Sequence, residues 1–427
     1  MGYRRGRTGL RRLAACVAAA AVTATTVGVV PQQALAEGRC TSPGGTISAL
    51  PWAQQTLDPQ QVWPFSTGRG RTVAVLDTGV DAAQPQLAGH VESGTNVAGG
   101  GSANTDCAGH GTQVAGVIAA QHSSGIGFRG LAPDVTVLPI ALTAGDSAEV
   151  PSTNLTPKTL AKAIDAAVAR HADIITVPYA VYQDSAKLKA AVDDAHRSGA
   201  LVVAATGDLG SEQNPTPYPA SYSDVLAVGS LAQDGSVSQD SGFGSYVDLV
   251  APGAGVVTTQ TGHGQIQVDG TAYAAGFASA VAALLWSRFP DMSVDDLVHR
   301  LKATAAPGGE APPGRHYGWG IADPYQAIVG RTEEGAGHAL PSAPAKHVSK
   351  EEKLRAAAWS DSTHIALIVM AGVLAAALVI VACAVFLPRG RRRRWRAGQA
   401  PGPYDDPEAD TPSPPVHLFK DPETGRP

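Results

Sequence analysis

Two residues of this sequence combine side chains that can drive nucleophilic hydrolysis. Asp77 ends a short apolar run typical of a buried strand, and His110 lies between two glycines where a helical pattern begins. A carboxylate that orients an imidazole makes that ring a general base, which can take the proton of a nucleophilic hydroxyl. A third stretch, in which small residues lead into a long apolar helix, carries Ala272 and therefore offers no such hydroxyl.

The elements that must position these residues alternate between strands and helices. Short β-branched runs predict strands at 72–76, 135–140, 173–177, 201–205, 225–229 and 246–250, and helical patterns lie at 112–121, 159–170, 185–198, 271–289 and 294–305. Strands that are buried on both faces and separated by crossover helices predict an α/β fold with a mostly parallel central sheet. Ligands of such sheets bind beyond the carboxyl ends of the strands, and Asp77 stands at such an end.

Three motifs in chain order resemble the subtilisin-like serine peptidases, which use Asp, His and Ser in that order. The resemblance is carried by Asp77-Thr78-Gly79, by Gly109-His110-Gly111-Thr112 and by Gly270-Thr271 at the helix start. Further matching segments lie at 128–133, 218–229, 242–253 and 317–324, so the likeness covers about residues 71–330. It implies a three-layer subtilisin-like fold in which Asp77 orients His110 and an asparagine helps to hold the oxyanion.

At four positions the sequence departs from the pattern that this resemblance implies. Ala272 stands in the place of the nucleophilic serine, and Gly276 in the place of a proline of the same motif. Asp208 stands in the place of the oxyanion asparagine, where a charged carboxylate would repel the developing negative charge. Pro178, in the segment that lines the substrate, lacks an N–H to donate to a bound peptide. Joint departures of this kind predict a natural loss of catalysis.

Other hydroxyls and another peptidase class were the alternatives. Thr271 and Ser279 are the nearest hydroxyls, but we expect Thr271 to turn away from the site and Ser279 to lie about two helical turns further along. Asp77-Thr78-Gly79 and Asp240-Ser241-Gly242 also match the tripeptide of aspartic peptidases. That class is built almost wholly of strands, whereas His110 opens a helix, so the pattern disfavours it.

Composition and cysteine usage exclude several classes of function. The chain has 427 residues, 44% hydrophobic and 16% charged, which fits one large globular body with membrane segments. Its net charge of -5 argues against a nucleic-acid partner. Cys16 and Cys383 lie in long apolar runs, which leaves Cys40 and Cys107. In an exported protein such a pair predicts a disulfide rather than a metal site, and no calcium loop, zinc spacing or cofactor motif stands out.

The amino-terminal end carries an export pattern. Residues 1–36 combine arginines, an apolar run and a small-residue site, which predicts a secretory signal peptide cleaved after Ala36. Residues 37–68 form a polar extension without a long periodic element, and we expect it to lie across the globular surface with Cys40 as its anchor. The globular domain itself is predicted at 69–330.

The carboxyl-terminal end carries an anchoring pattern. A linker rich in Pro, Gly and Ala at 331–363 leads to an apolar stretch at 364–387, and its uncharged core of about 34 Å is long enough to cross a bilayer as a helix. Six arginines follow almost at once, which predicts that the tail at 388–427 is cytoplasmic, and its composition predicts disorder.

This organisation resembles the mycosins, subtilisin-like membrane proteins of type VII secretion in actinobacteria. The resemblance rests on the signal peptide, the cysteine-bearing extension, the segment Asp106-Cys107-Ala108-Gly109-His110, the stalk and the single carboxyl-side apolar span. It implies a bacterial plasma-membrane protein whose globular domain lies outside, associated with a secretion complex and secreted polypeptides. With Ala272 at the nucleophile position, we expect a pseudoprotease; the alternatives are a weak serine-type endopeptidase and a surface protein whose head only displays the tail.

Overall fold

The computed structural model describes residues 40–143 and 155–330. Its central sheet is built from β1 (Thr72–Asp77), β2 (Thr95–Asn96), β3 (Thr136–Ala141), β4 (Ile174–Val177), β5 (Leu201–Ala205), β6 (Val225–Leu231) and β7 (Leu249–Pro252). These seven strands lie in the spatial order β2, β3, β1, β4, β5, β6, β7, and every neighbouring pair is parallel. Asp77 therefore lies at the carboxyl edge, opposite Ala141 of β3. The predicted parallel α/β architecture is confirmed.

Helices cover both faces of this sheet. The helices of the described residues are α1 (Trp52–Leu57), α2 (Pro59–Val62), α3 (His110–Ala119), α4 (Pro157–Ala169), α5 (Ala186–Arg197), α6 (Thr271–Arg288), α7 (Val294–Ala303) and α8 (Pro324–Val329). Alternate residues of β1 point to opposite faces, so Val73 and Val75 join the core that holds α3 and α6. Ala74 and Leu76 join the core that holds α4 and α5. The result is three layers, as the resemblance implied.

Element boundaries differ from the sequence prediction in a few places. The last sheet strand was expected at 246–250 and lies at Leu249–Pro252, and the helix expected from Thr112 begins at His110. A hairpin of β8 (Val256–Thr259) and β9 (Gln265–Val268) was not predicted. Its strands have four residues each, and β9 is only partly buried, so neither produces an apolar run.

Helix α6 is the central helix of the fold because nearly all of it is buried. Residues 271–286 are all buried, and most of them are alanine or other apolar residues. Gly276 lets α6 approach α3 closely, since a Cβ at this position would lie 2.6 Å from a methyl carbon of Val117. This close packing of α6 on α3 brings the segment around Ala272 next to the helix that begins at His110.

The amino-terminal extension is more deeply integrated than the sequence indicated. It contains the two short helices α1 and α2, and Ala53, Leu57 and Val62 are buried in the core beside α3 and α6. Upstream, Gly45 pairs with Gln265 at the edge of the hairpin. The expectation of a segment lying only on the surface was therefore wrong, because part of the extension supplies core side chains.

Several predicted segments lie outside the described residues. They are the signal peptide at 1–36, the start of the extension at 37–39, the linker at 331–363, the apolar span at 364–387 and the tail at 388–427. Among residues 40–143 and 155–330, none of the helices has both the length and the apolar character that crossing a membrane requires.

Candidate active site

The structure brings Asp77 and His110 into direct contact at the carboxyl edge of the sheet. His110 is the first residue of α3, and its Nδ1 lies 2.8 Å from Oδ2 and 2.9 Å from Oδ1 of Asp77. Asp77 is fully buried at the end of β1, and its Oδ1 also accepts a hydrogen bond from the Thr78 amide at 2.7 Å. The carboxylate thus holds the imidazole with a proton on Nδ1, which leaves Nε2 as the basic atom when the ring is neutral.

The electrostatics of the pair favour a charged imidazole. Burial by itself lowers the pKa of His110, whereas the charge and the hydrogen bond of the Asp77 carboxylate raise it. Asp106 and Asp208 add smaller attractions of the same sign. The net result is a pKa of His110 above its ordinary value.

Asp106 fixes the loop that presents His110. Its Oδ1 accepts hydrogen bonds from the Thr78 hydroxyl at 2.7 Å and the Gly109 amide at 2.8 Å. Its Oδ2 accepts two more, from the amide and the hydroxyl of Thr112 at 2.8 and 2.7 Å. Burial raises the pKa of Asp106, although these donors oppose the shift. Because the same carboxylate bonds to residues after β1 and in the first turn of α3, it sets the position of His110 relative to Asp77.

The predicted disulfide is present beside this loop. Cys40 and Cys107 are joined, with their Cα atoms 4.4 Å apart. The Thr41 amide and hydroxyl donate to the carbonyl oxygens of Cys107 and Ala108 at 2.8 and 2.9 Å. The extension is therefore fastened to the chain within three residues of His110 by one covalent bond and two hydrogen bonds.

Ala272 lies at the start of α6, where the resemblance places a nucleophile. Only 4% of the residue is exposed. The next residue, Tyr273, packs its ring against His110 with the centroids 5.5 Å apart. The preceding residue, Thr271, donates its amide hydrogen to Oδ1 of Asp208 at 2.8 Å. The segment around Ala272 therefore lies next to His110 and Asp208, and Ala272 carries a methyl group where the resemblance implies a hydroxyl.

Asp208 fits the helix start but not an oxyanion. It follows β5 and is an exposed residue, yet neighbouring protein desolvates its carboxylate and raises its pKa, while the Thr271 contact opposes that shift. A carboxylate that accepts the amide of Thr271 suits the positive end of an 18-residue helix. When charged, it has no hydrogen to donate to a developing negative oxygen, and when protonated it has a single one.

The other hydroxyls that could act as nucleophiles are buried. Ser279 is fully buried and accepts a hydrogen bond from the Thr176 hydroxyl at 2.8 Å. Thr271 is also fully buried, and its amide is engaged by Asp208. Asp240, the second candidate aspartate of the alternative peptidase class, accepts a hydrogen bond from the Ser211 hydroxyl. Asp77 is paired with His110, so the contacts follow the Asp–His arrangement and not a pair of aspartates.

Two tyrosines of the site had no role in the sequence prediction. Tyr179 follows the buried Pro178 after β4, donates to Oδ1 of Asp77 at 2.7 Å and stacks on His110 with the ring centroids 5.1 Å apart. Tyr273 donates to Oε1 of Gln113 at 2.7 Å. Only their positions in the sequence could have indicated that these tyrosines belong to the site. Tyr179 comes directly after a strand at the carboxyl edge, and Tyr273 adjoins Ala272. Among residues 40–143 and 155–330, no cluster of His, Cys, Asp or Glu could hold a metal ion.

These features define a subtilisin-type fold and site, and the sequence family agrees. The pattern of the subtilase family, peptidase S8, matches residues 68–320, more than half of the chain, and the chain belongs to this family. It is 33% identical to Mycosin-1 of Mycobacterium tuberculosis over 328 residues, which are 65% of this chain and 73% of that protein. It is also 33% identical to Subtilisin DY of Bacillus licheniformis over 256 residues, 60% of this chain and 89% of that protein.

Solved structures of mycosins share the fold. The crystal structure of MycP1 from the ESX-1 type VII secretion system superposes with a TM-score of 0.61 at 30% identity, covering 71% of this chain and 93% of that one. The structure of the MycP3 protease from the type VII (ESX-3) secretion system gives a TM-score of 0.60 at 29% identity, covering 68% and 92%. The chain is thus a mycosin-like member of the subtilase family.

Proposed function

We propose that this chain is a membrane-anchored pseudoprotease that serves a type VII secretion complex as a structural or peptide-binding component. The observation that carries the proposal is Ala272, whose side chain is only a methyl group at the start of α6, while the Asp77–His110 pair is intact. In subtilisin, removal of the serine nucleophile lowers kcat by roughly a millionfold. The nearest hydroxyls, on Thr271 and Ser279, are fully buried and cannot reach a substrate carbonyl without rearrangement of α6.

The association with secretion is supported by the relatives. MycP1 and MycP3, to which the chain is similar, are named as parts of ESX-1 and ESX-3 type VII secretion systems. The family assignment covers the globular domain, which is the part that would meet such a complex outside the membrane. Anchoring is supported by the apolar residues 364–387 and by the arginines that follow them.

A hydrolysis assay tests the loss of catalysis. The purified full chain is incubated with a diverse peptide library and with a fluorophosphonate probe, and both reactions are followed by mass spectrometry. We expect neither cleavage nor a covalent adduct. Cleavage that disappears in the His110→Ala variant, or an adduct on Thr271 or Ser279, would refute the pseudoprotease.

A crosslinking experiment tests the partnership. Native membranes are crosslinked, and the tagged chain is recovered and analysed by mass spectrometry. We expect crosslinks between the domain at 69–330 and components of a type VII secretion complex. Recovery of the chain without any such component would instead support a surface protein that only displays its tail.

The weak hydrolase is the second candidate because the Asp77–His110 pair is intact. His110 could activate a water molecule directly, because its Nδ1 still has the Asp77 carboxylate as a partner at 2.8 Å. Such a reaction would depend on His110 and leave no adduct on the protein. Slow cleavage without probe labelling, abolished in His110→Ala, would therefore favour this candidate over the pseudoprotease.

A further inference from the structure

Tyr179 closes the Asp77–His110 pair into a three-membered network. Its phenol oxygen lies 2.7 Å from Oδ1 of Asp77 and 2.9 Å from Nδ1 of His110. Only 6% of Tyr179 is exposed, and burial together with the neighbouring Asp77 charge raises its pKa well above the ordinary value. The phenol therefore keeps its proton and acts as a permanent donor to Asp77.

The hydrogen atoms of this network can be assigned from its geometry. The Tyr179 hydroxyl has a single hydrogen, and this hydrogen is donated to Oδ1 of Asp77. The contact with His110 must then use the hydrogen on Nδ1, so the phenol oxygen is a third acceptor beside the two carboxylate oxygens. Asp77 in turn divides its negative charge among three donors, which are Tyr179, the Thr78 amide and His110.

The imidazole is also enclosed by two aromatic rings. Tyr179 stacks on His110 at an interplanar angle of 30°, and the ring of Tyr273 is tilted against it at 49°. Tyr273 is itself fixed, because its hydroxyl donates to Gln113, which is on the same helix as His110. His110 is therefore contacted at Nδ1 by Asp77 and packed against aromatic rings from α6 and from the segment after β4.

We propose that Tyr179 is a positioning residue that weakens His110 as a base, by drawing on the Asp77 charge and by immobilising the ring. The site is then silenced twice, once by Ala272 and once by Tyr179. This inference rests on the proposed loss of catalysis and adds that a serine at 272 would not by itself restore an efficient base.

The direction in which the His110 pKa changes when Tyr179 is replaced distinguishes this role from a merely structural one. The groups that face His110 are the carboxylates of Asp77, Asp106 and Asp208 and the neutral phenols of Tyr179 and Tyr273. Tyr179→Phe keeps the stacked ring and removes both a donor to Asp77 and an acceptor beside Nδ1 of His110. Because the bond to Asp77 is the shorter of the two and His110 keeps both carboxylate oxygens as acceptors, we expect the gain in carboxylate charge to exceed the lost acceptor and to favour protonation of His110. If Tyr179 only filled space, its change would loosen the site, admit water and weaken the pull of Asp77.

The first test is an NMR titration of His110. The full chain with ¹³C-labelled histidine is studied in detergent micelles as wild type, Tyr179→Phe and Tyr182→Phe, and His110→Gln assigns the signal. We expect the midpoint of His110 to rise by about half a pH unit or more in Tyr179→Phe. Tyr182 is an exposed tyrosine three residues further on that makes no hydrogen bond with the described residues, so its variant should match wild type. An unchanged or lowered midpoint in Tyr179→Phe overturns the proposal.

The second test measures reactivity after the nucleophile is restored. Fluorophosphonate labelling rates are compared between Ala272→Ser and the double variant Ala272→Ser with Tyr179→Phe. At a pH above the His110 midpoint of both variants, we expect the double variant to be labelled about two to three times faster, because its deprotonated His110 is the stronger base. Equal or slower labelling overturns the proposal, and if neither variant is labelled the NMR midpoint decides. Hydrolysis by the wild-type chain would instead refute the proposed function, and it would leave the midpoint comparison intact.

Discussion

Replacing Ala272 by serine and Asp208 by asparagine should reveal how much each position contributes to the proposed loss of activity. In subtilisin the serine is worth about a millionfold in kcat, or about 8 kcal/mol, so Ala272→Ser can recover at most that factor. The oxyanion position sets a second limit, because one donor there is worth about 10² to 10³ in kcat, or about 2.7 to 4 kcal/mol. Asp208 supplies no such donor when it is charged.

The geometry at Asp208 makes asparagine a well-matched replacement. Oδ1 of Asp208 accepts the Thr271 amide at 2.8 Å, and an asparagine oxygen can keep that bond. The second carboxylate oxygen would become an NH₂ group, which can donate to a developing oxyanion. We therefore expect Ala272→Ser with Asp208→Asn to hydrolyse peptides about 10² to 10³ times faster than Ala272→Ser alone.

The assay compares four proteins: wild type, each single variant and the double variant. Peptide hydrolysis is measured as kcat/KM, and trapped acyl intermediates are located by mass spectrometry. Asp208→Asn alone should be as silent as wild type, because it lacks a nucleophile. The reasoning is refuted if Ala272→Ser alone works within tenfold of the double variant, since Asp208 would then not impair the oxyanion site.

Three further outcomes concern stability and follow from contacts described above. His110→Gln should remove the stabilisation that protonated His110 gives to the wild-type fold. This stabilisation is complete below pH 6.5, the ordinary histidine value, and is lost as the pH rises through the raised pKa of His110. Urea unfolding between pH 5.5 and 9 measures it. Gly276→Ala should destabilise by about 1 to 2 kcal/mol, since overpacking against the α3 methyl exceeds the gain in helix propensity, and denaturant midpoints measure it. Cys40→Ser with Cys107→Ser should cost about 4 kcal/mol in the chain-entropy estimate for a sequence separation of 67 residues, seen as a lower Tm.

Each of these outcomes has a contrary result. His122 is exposed and has no ionic partner among the described residues, so His122→Gln should follow wild type at every pH; a constant difference for His110→Gln would deny its coupling to Asp77. If Gly276→Ala is neutral or stabilising, α3 and α6 can move apart to admit the added methyl group without a loss of folding free energy. An unchanged Tm without the disulfide would mean that the hydrogen bonds from Thr41 already hold the extension in place.

The sequence predicted most of the strands and helices that bring the site together, because each of them is encoded in a local hydrophobic pattern. Asp77 ends a run buried on both faces, and His110 opens a helix, so their places at the carboxyl edge follow from hydrophobic pattern and chain order. The pairing of Cys40 with Cys107 could be reached by elimination, because the other two cysteines lie in apolar runs.

Contacts between distant segments could not be read in the same way. The bond from Tyr179 to Asp77 joins residues 102 positions apart, and it depends on a rotamer and on strand twist that no local pattern encodes. The burial of Ala53, Leu57 and Val62 was missed for the same reason, because short helices in a polar segment give a weak periodic signal. Gly276 departs from the family pattern, but only the packing of α6 on α3 explains why a small residue suits that position.

The four hydrogen bonds that Asp106 receives have a consequence for descent. They hold the histidine loop in shape by internal contacts alone, without help from substrate or from a reacting group. None of these bonds involves residue 272, so we expect the histidine loop to keep its shape with either alanine or serine there, and an alanine codon lies one nucleotide from a serine codon. A lineage with this scaffold can give up the nucleophile, or regain it, without rebuilding the framework that surrounds it.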